Sequence, residues 1–122
     1  IGGYDAGSFS LISPRQFTLS DFKLLVIDTR DLIIFDQFGN GIKRIKLAFD
    51  PDNINSTSGK ICINNKSQVS IIDASNLDSG NFIPVNFISK IGDEIIDSLI
   101  FNDNLYLLSK NFITVYRALS GN

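Results

Sequence analysis

The sequence predicts an all-β chain, a partial β-propeller of nearly three four-stranded antiparallel blades, and three observations lead there. The dipeptide Gly-Asn recurs at Gly39-Asn40, Gly80-Asn81 and Gly121-Asn122, with a constant spacing of 41 residues. Upstream of each copy lies a segment of fixed length in which two apolar runs flank a polar middle: Leu24 to Asp36 (LLVIDTRDLIIFD), Ile61 to Asp73 (ICINNKSQVSIID) and Leu105 to Arg117 (LYLLSKNFITVYR). β-Branched residues dominate these runs and none keeps a period of 3.6 residues, so hairpins are expected rather than helices.

The columns of the three hairpins agree. In the first run Leu24/Ile61/Leu105 and Val26/Ile63/Leu107 match. In the second, Leu32/Val69/Ile113 and Ile34/Ile71/Val115 alternate with Ile33/Ser70/Thr114, the period of two that puts neighbouring side chains on opposite sheet faces. Asp28-Thr29, Asn65-Lys66 and Ser109-Lys110 are turn formers between the runs. Ahead of each hairpin a shorter candidate strand (Gln16 to Leu19, Asn53 to Ser56, Ile96 to Phe101) ends at Asp21, at Ser58-Gly59 or at Asn102-Asp103, and these are expected to be the innermost strands.

After the Gly-Asn turn, where glycine supplies a positive φ, an outer strand is expected at Ile42 to Leu47 and at Phe82 to Ile88. The expected blades therefore span about 14–48, 53–90 and 95–122, the third without its outer strand, while Ile1-Gly2-Gly3 reads as the tail of an outer strand belonging to a preceding unit. A chain with so few blades leaves open edges, so closure is expected from a larger propeller or from a second copy.

Composition narrows the function. With 122 residues and 43% apolar content the chain can bury one modest core, and no apolar run is long enough to span a membrane as a helix. The N-terminus lacks signal-peptide organisation, and a start at Ile1 suggests a processed product or a piece of a longer chain. A net charge of −2 argues against nucleic-acid binding, and the small basic cluster Lys43-Arg44 with Lys46 reads as a solvated strand face. The one cysteine, Cys62 between Ile61 and Ile63, reads as a small apolar residue in a strand.

Histidine is absent, which excludes a Ser-His-Asp set and removes the commonest acid/base group and metal ligand. There is no Gly-rich phosphate loop and no cysteine pair for zinc. Asp28, Asp31 and Asp36 lie close together in sequence, but Asp28 and Asp36 fall at strand ends, where carboxylates cap turns. Asp50, Asp52 and Asn53 offer hard oxygen ligands without the spacing of a calcium loop. Asp93, Glu94 and Asp97 form the most acidic patch and are expected near the mouth of the channel. Two Asn-X-Ser/Thr patterns, Asn55-Ser56-Thr57 and Asn65-Lys66-Ser67, are expected by chance in an Asn-rich chain. Of the tyrosines, Tyr4 and Tyr106 are candidates for a binding surface, whereas Tyr116 shares a column with Phe35 and Ile72 and is expected to pack between blades.

Residues 1–47 resemble the NHL-type six-bladed propellers, especially forms from exported bacterial proteins. Gly2-Gly3, Gly7, Phe9 and Pro14 match the lead-in, Val26 to Asp28 the middle strand, and Phe35-Asp36 with Gly39 the strand end and turn. Units two and three keep only the hairpin and turn, and Thr29-Arg30-Asp31 replaces the longer Gly-Asn/Arg connection of the family. The resemblance implies an exported, periplasmic or cell-envelope protein whose propeller binds other proteins. The function expected is a non-catalytic binding or scaffold module without cofactor or metal. Partner contacts are assigned to Arg30, Asp31, Asp93 and Glu94. The alternatives are part of a calcium-dependent propeller hydrolase or lactonase, or a sugar-binding propeller.

Overall fold

The computed structural model describes residues 11–20, 22–57, 59–76, 85–88 and 93–117. Within them the chain forms three successive antiparallel sheets. The first is built in chain order from β1 (Pro14–Ser20), β2 (Lys23–Asp28), β3 (Asp31–Phe35) and β4 (Gly41–Lys46). The second runs likewise through β5 (Asn53–Thr57), β6 (Lys60–Asn64), β7 (Gln68–Asp73) and β8 (Val85–Ile88), with a short 3-10 turn at Ala74–Asn76 after β7. The third contains β9 (Ile95–Phe101), β10 (Asn104–Ser109) and β11 (Ile113–Tyr116). Each hairpin expected from sequence is present, and β1, β5 and β9 lie along neighbouring edges, as innermost strands should.

The turns are built from the residues that their geometry needs. Asn102 and Asp103 both take positive φ, 52° and 62°, which suits the tight connection between Phe101 and Asn104. The first Gly-Asn copy sits where the repeat placed it, between the third and outer strands: Gly39 has φ 86°, and its N–H donates to the Asp36 carbonyl at 3.1 Å. The Asp36 carboxylate accepts the N–H groups of Asn40 (2.9 Å) and Phe38 (2.8 Å), and the bond from Asn40 leads in holding its pKa below the ordinary value. Gly80-Asn81, Gly121-Asn122, the start of the predicted outer strand at Phe82, and Ile1 to Gly3 lie outside the described residues.

Register confirms the columns read from sequence. Leu24 pairs with Phe35, Ile61 with Ile72 and Leu105 with Tyr116; Val26, Ile63 and Leu107 stand opposite Ile33, Ser70 and Thr114. The inner strands extend the match: opposite Val26, Ile63 and Leu107 stand Phe17, Ile54 and Ser98.

Each sheet thus has a leading face toward the preceding sheet and a trailing face toward the next. Leu25, Ile27, Leu32 and Ile34 on the first trailing face pack with Ile54, Ile61, Ile63 and Ile72 on the second leading face, joined by Leu47 and Phe49 from the linker. Cys62, Val69 and Ile71 pack in turn against Ile100, Leu105, Leu107 and Tyr116. Tyr116 is therefore half-buried between sheets, as its column suggested. Burial, reinforced by the nearby Asp97 charge, pushes the Cys62 thiol up to about 12, which fits a packing residue and not a nucleophile. On the other face of the second sheet, beside Ile63 at the first junction, Ser70 contributes a buried hydroxyl without a hydrogen-bond partner.

Candidate functional site

Alternation along each strand decides what the ends of the stack expose. On the trailing face of the third sheet Leu99, Phe101, Leu108, Ile113 and Val115 all remain 38–63% exposed. Tyr106, a candidate for a binding surface, lies among them, half-buried. With Thr57, Asp97 and Ser98 most of them line a cavity of about 510 Å³ that has almost no polar lining apart from those three residues. The leading face of the first sheet is the opposite end. There Phe17 and Leu19 are 69% and 68% exposed, beside a second cavity of about 300 Å³ lined by Leu11, Pro14, Arg15, Gln16, Phe17, Leu24 and Val26.

Between these ends the inner strands are coupled by polar side chains. Gln16, Asn53 and Asp97 occupy one register position, opposite Ile27, Asn64 and Leu108. From there the Gln16 amide donates to the Asp52 carbonyl (3.0 Å) and to Asn53 Oδ1 (3.1 Å), and its Oε1 accepts the Ile54 N–H at 3.1 Å. Asn53 donates to the Ile96 carbonyl. Two residues on, on the same face, Asn55 donates to the Ser98 carbonyl at 2.9 Å and to Asp97. Such bonds satisfy strand-edge groups that have no further ladder partner.

The four residues assigned from sequence to partner contact all lie at the rim formed by the β2–β3, β6–β7 and β10–β11 turns and the inter-sheet linkers. Arg30 donates to the carbonyls of Leu47 (3.3 Å) and Ala48 (2.8 Å), which pins the linker leaving the first sheet. Asp31 pairs with Arg44 at 2.6 Å and Lys46 at 3.8 Å. The basic cluster is thus partly neutralised in place. Asp93 accepts the Glu94 N–H (2.9 Å) and the Asn111 amide (3.4 Å), and Glu94 faces Lys66 across 3.9 Å. Arg30 and Asp31 therefore brace the first sheet, while Asp93 and Glu94 tie the last linker to the turns of the second and third; these are two places on one rim.

The remaining carboxylates of interest are occupied as well. Asp28, 1% exposed, accepts the N–H groups of Ile12 (2.8 Å) and Ser13 (2.5 Å), capping the segment that enters the first sheet. Asp50 pairs with Arg15 at 3.0 Å, and Arg15 also donates to the carbonyls of Thr29 and Pro51. Asn55, in one of the two glycosylation patterns, spends its amide on the third sheet; Asn65, in the other, accepts the N–H groups of Ser67 and Gln68. Among the described residues no group of three or more acidic or cysteine side chains is placed to hold a metal. Tyr4 lies outside the described residues.

Sequence reasoning missed the inner-strand column Gln16/Asn53/Asp97, although its signal was present: each stands at the same distance before Leu24, Ile61 and Leu105. It also assigned Leu99, Leu108, Ile113 and Val115 to strands without marking them as one uncovered face.

No family model matches this chain, and no curated protein matches it in sequence. Among solved structures it is similar to the Neurospora crassa Pan2 WD40 domain, with TM-score 0.61 and 13% identity, over 89% of this chain. The chain spans 34% of the length of that structure. At this identity the likeness shows the fold alone: the three sheets are consecutive blades, and the chain is a partial β-propeller.

Proposed function

We propose that this chain is a non-catalytic sector of a protein-binding propeller, which acts by joining the apolar trailing face of its third sheet to another protein surface. The observation that carries this reading is the grouping of Leu99, Phe101, Leu108, Ile113 and Val115 on one sheet face. An apolar patch of this kind marks an interaction surface. Asp93, which accepts the Asn111 amide in the turn leading to Ile113, and Glu94 beside it supply a polar border; Arg30 and Asp31 lie apart, on the first sheet. The match of Gly2-Gly3, Phe9, Pro14, Phe35-Asp36 and Gly39 to the NHL-type pattern supports membership of that propeller class and an exported or cell-envelope setting.

The calcium-dependent hydrolase reading differs in one measurable property. Metal analysis of the purified chain, with thermal unfolding before and after chelation, is expected to find no stoichiometric calcium and no change in Tm. Bound calcium at one per chain, with loss of structure on chelation, overturns the binding-module reading.

A further inference from the structure

The uncovered face of the third sheet has charges of opposite sign along its two sides. Asp93 and Glu94 precede β9 and Asp103 follows it, so the β9 side is acidic at both ends. Lys110 precedes β11 and Arg117 follows it, so the β11 side is basic at both ends. Glu94, Asp103, Lys110 and Arg117 are all exposed. Between the two sides the face is apolar: Leu99, Tyr106 and Val115 stand in one row across the strands, and Leu108 with Ile113 in the next. Asp97, the carboxylate on the face itself, lies at its inner-strand edge, where Oδ1 accepts the Ser98 N–H at 2.8 Å and the Asn55 amide. The face therefore offers a partner its apolar centre and its charged ends.

This pattern complements itself under one two-fold axis and opposes itself under the other. An axis along β10 lays the β9 side of one copy on the β11 side of a second, acid on base at both ends. An axis across the strands lays β9 on β9, acid on acid, and sets Lys110 against Arg117. Like charges placed opposite one another disfavour the second arrangement, so the ends of the strands select the first.

We propose that two copies of this chain pair through the trailing faces of their third sheets, about a two-fold axis along β10. Tyr106 and Leu108 meet their own counterparts near the axis, Leu99 packs on Val115 of the second copy, and Glu94 and Asp103 stand beside its Lys110 and Arg117. The two sheets stack nearly aligned, as the layers of a β-sandwich do. Ile113 and Val115 of the second copy enter the cavity of about 510 Å³ lined by Leu99, Phe101, Tyr106 and Leu108. Each copy uses the same patch, so the contact closes at two chains. The leading face of the first sheet takes no part, since Val26, Ile33 and Phe35 are already packed with Leu11 and Leu24. This pairing rests on the reading of the chain as a propeller sector whose trailing face binds a protein surface.

The test is the solution mass of the full chain over a concentration series, by sedimentation and light scattering, with circular dichroism to check the fold. Wild type is expected to pass from the mass of one chain when dilute to that of two when concentrated, and Leu108→Glu to stay at one. Lys110→Glu and Glu94→Lys, at exposed positions that leave the core untouched, are each expected to weaken the pairing by about three- to tenfold, because each sets like charges opposite one another at two symmetric places. An equimolar mixture of these two is expected to pair as tightly as wild type, since every facing pair is again of opposite sign. If Leu108→Glu loses its strand signal, the two charge variants and their mixture carry the test. A wild-type chain that stays at one mass throughout, an open-ended polymer, or a mixture that pairs no better than its components overturns the proposal. A calcium-free chain that remains a monomer overturns the second copy as occupant of the face, whereas stoichiometric calcium, lost together with structure on chelation, overturns the binding-module reading whatever the mass.

Discussion

The trailing face of the first blade and that of the third are written in the same columns and meet opposite fates. Leu32 and Ile34 on the first are fully buried, under Ile54, Ile61 and Ile63 of the next blade. Ile113 and Val115, in the same positions on the third, are 63% and 38% exposed. Nothing in the residue types separates the two faces, since all four are branched or aliphatic. Burial of these columns is therefore set by what covers the face, not by the strand; the first blade's other face is covered too, with Val26, Ile33 and Phe35 packed against Leu11 and Leu24.

The sharpest way to test the contrast is to cut the same column at both ends. Ile34→Ala is expected to cost about 2–5 kcal/mol in urea unfolding, the range for a large-to-small change in a packed core. Val115→Ala in dilute chain is expected to cost less than about 1 kcal/mol. Equal costs would mean that the third face is covered.

A smaller loss is expected from the buried cap of the first blade. Asp28→Ala removes the acceptor for the Ile12 and Ser13 N–H groups, at about 1–3 kcal/mol, and hydrogen exchange should quicken at those two amides. Ser109 ends the equivalent strand of the third blade with one bond, to the Phe112 carbonyl at 2.9 Å, so Ser109→Ala should fall at or below the lower end of that range. At the second junction Asn55→Ala is expected to cost about 1 kcal/mol, because its amide links two inner strands that Asn53 also joins through the Ile96 carbonyl.

The least effect concerns acid. The Ser75 N–H, followed by Lys60 and the Ser75 hydroxyl, lowers the Asp73 pKa from 3.8 to about 2. A folded-state pKa below the unfolded one gives stability that is present above about pH 4 and lost as pH falls toward 2. The Asp73 side chain is 40% exposed, so solvent screening keeps the contribution small. Thermal unfolding between pH 5 and 2 should show a shallower decline for Asp73→Asn than for wild type; parallel curves would remove Asp73 from the account.

Much of this architecture was legible in the sequence because period and alternation are local. The columns Leu24/Ile61/Leu105 and Ile34/Ile71/Val115 and the first Gly-Asn turn followed from spacing alone, and the structure keeps their register. What did not follow was partnership across blades. That Gln16 reaches Ile54, or that Arg30 holds the linker at Ala48 and is not simply displayed, depends on the rotation of one sheet against the next, which no single strand encodes. The candidate site was legible only as a set of rim positions. The apolar end face was hidden because Leu108 and Ile113 look like core until it is known that no blade among the described residues follows them.

The most direct measurement is hydroxyl-radical footprinting of the chain over a dilution series. Leu32 and Ile34 should stay protected throughout, while Leu99, Leu108 and Ile113 should be oxidised readily in dilute solution. Equal protection of both groups at every concentration, or ready oxidation of Leu32 and Ile34, would contradict a propeller sector whose end face waits for a neighbour.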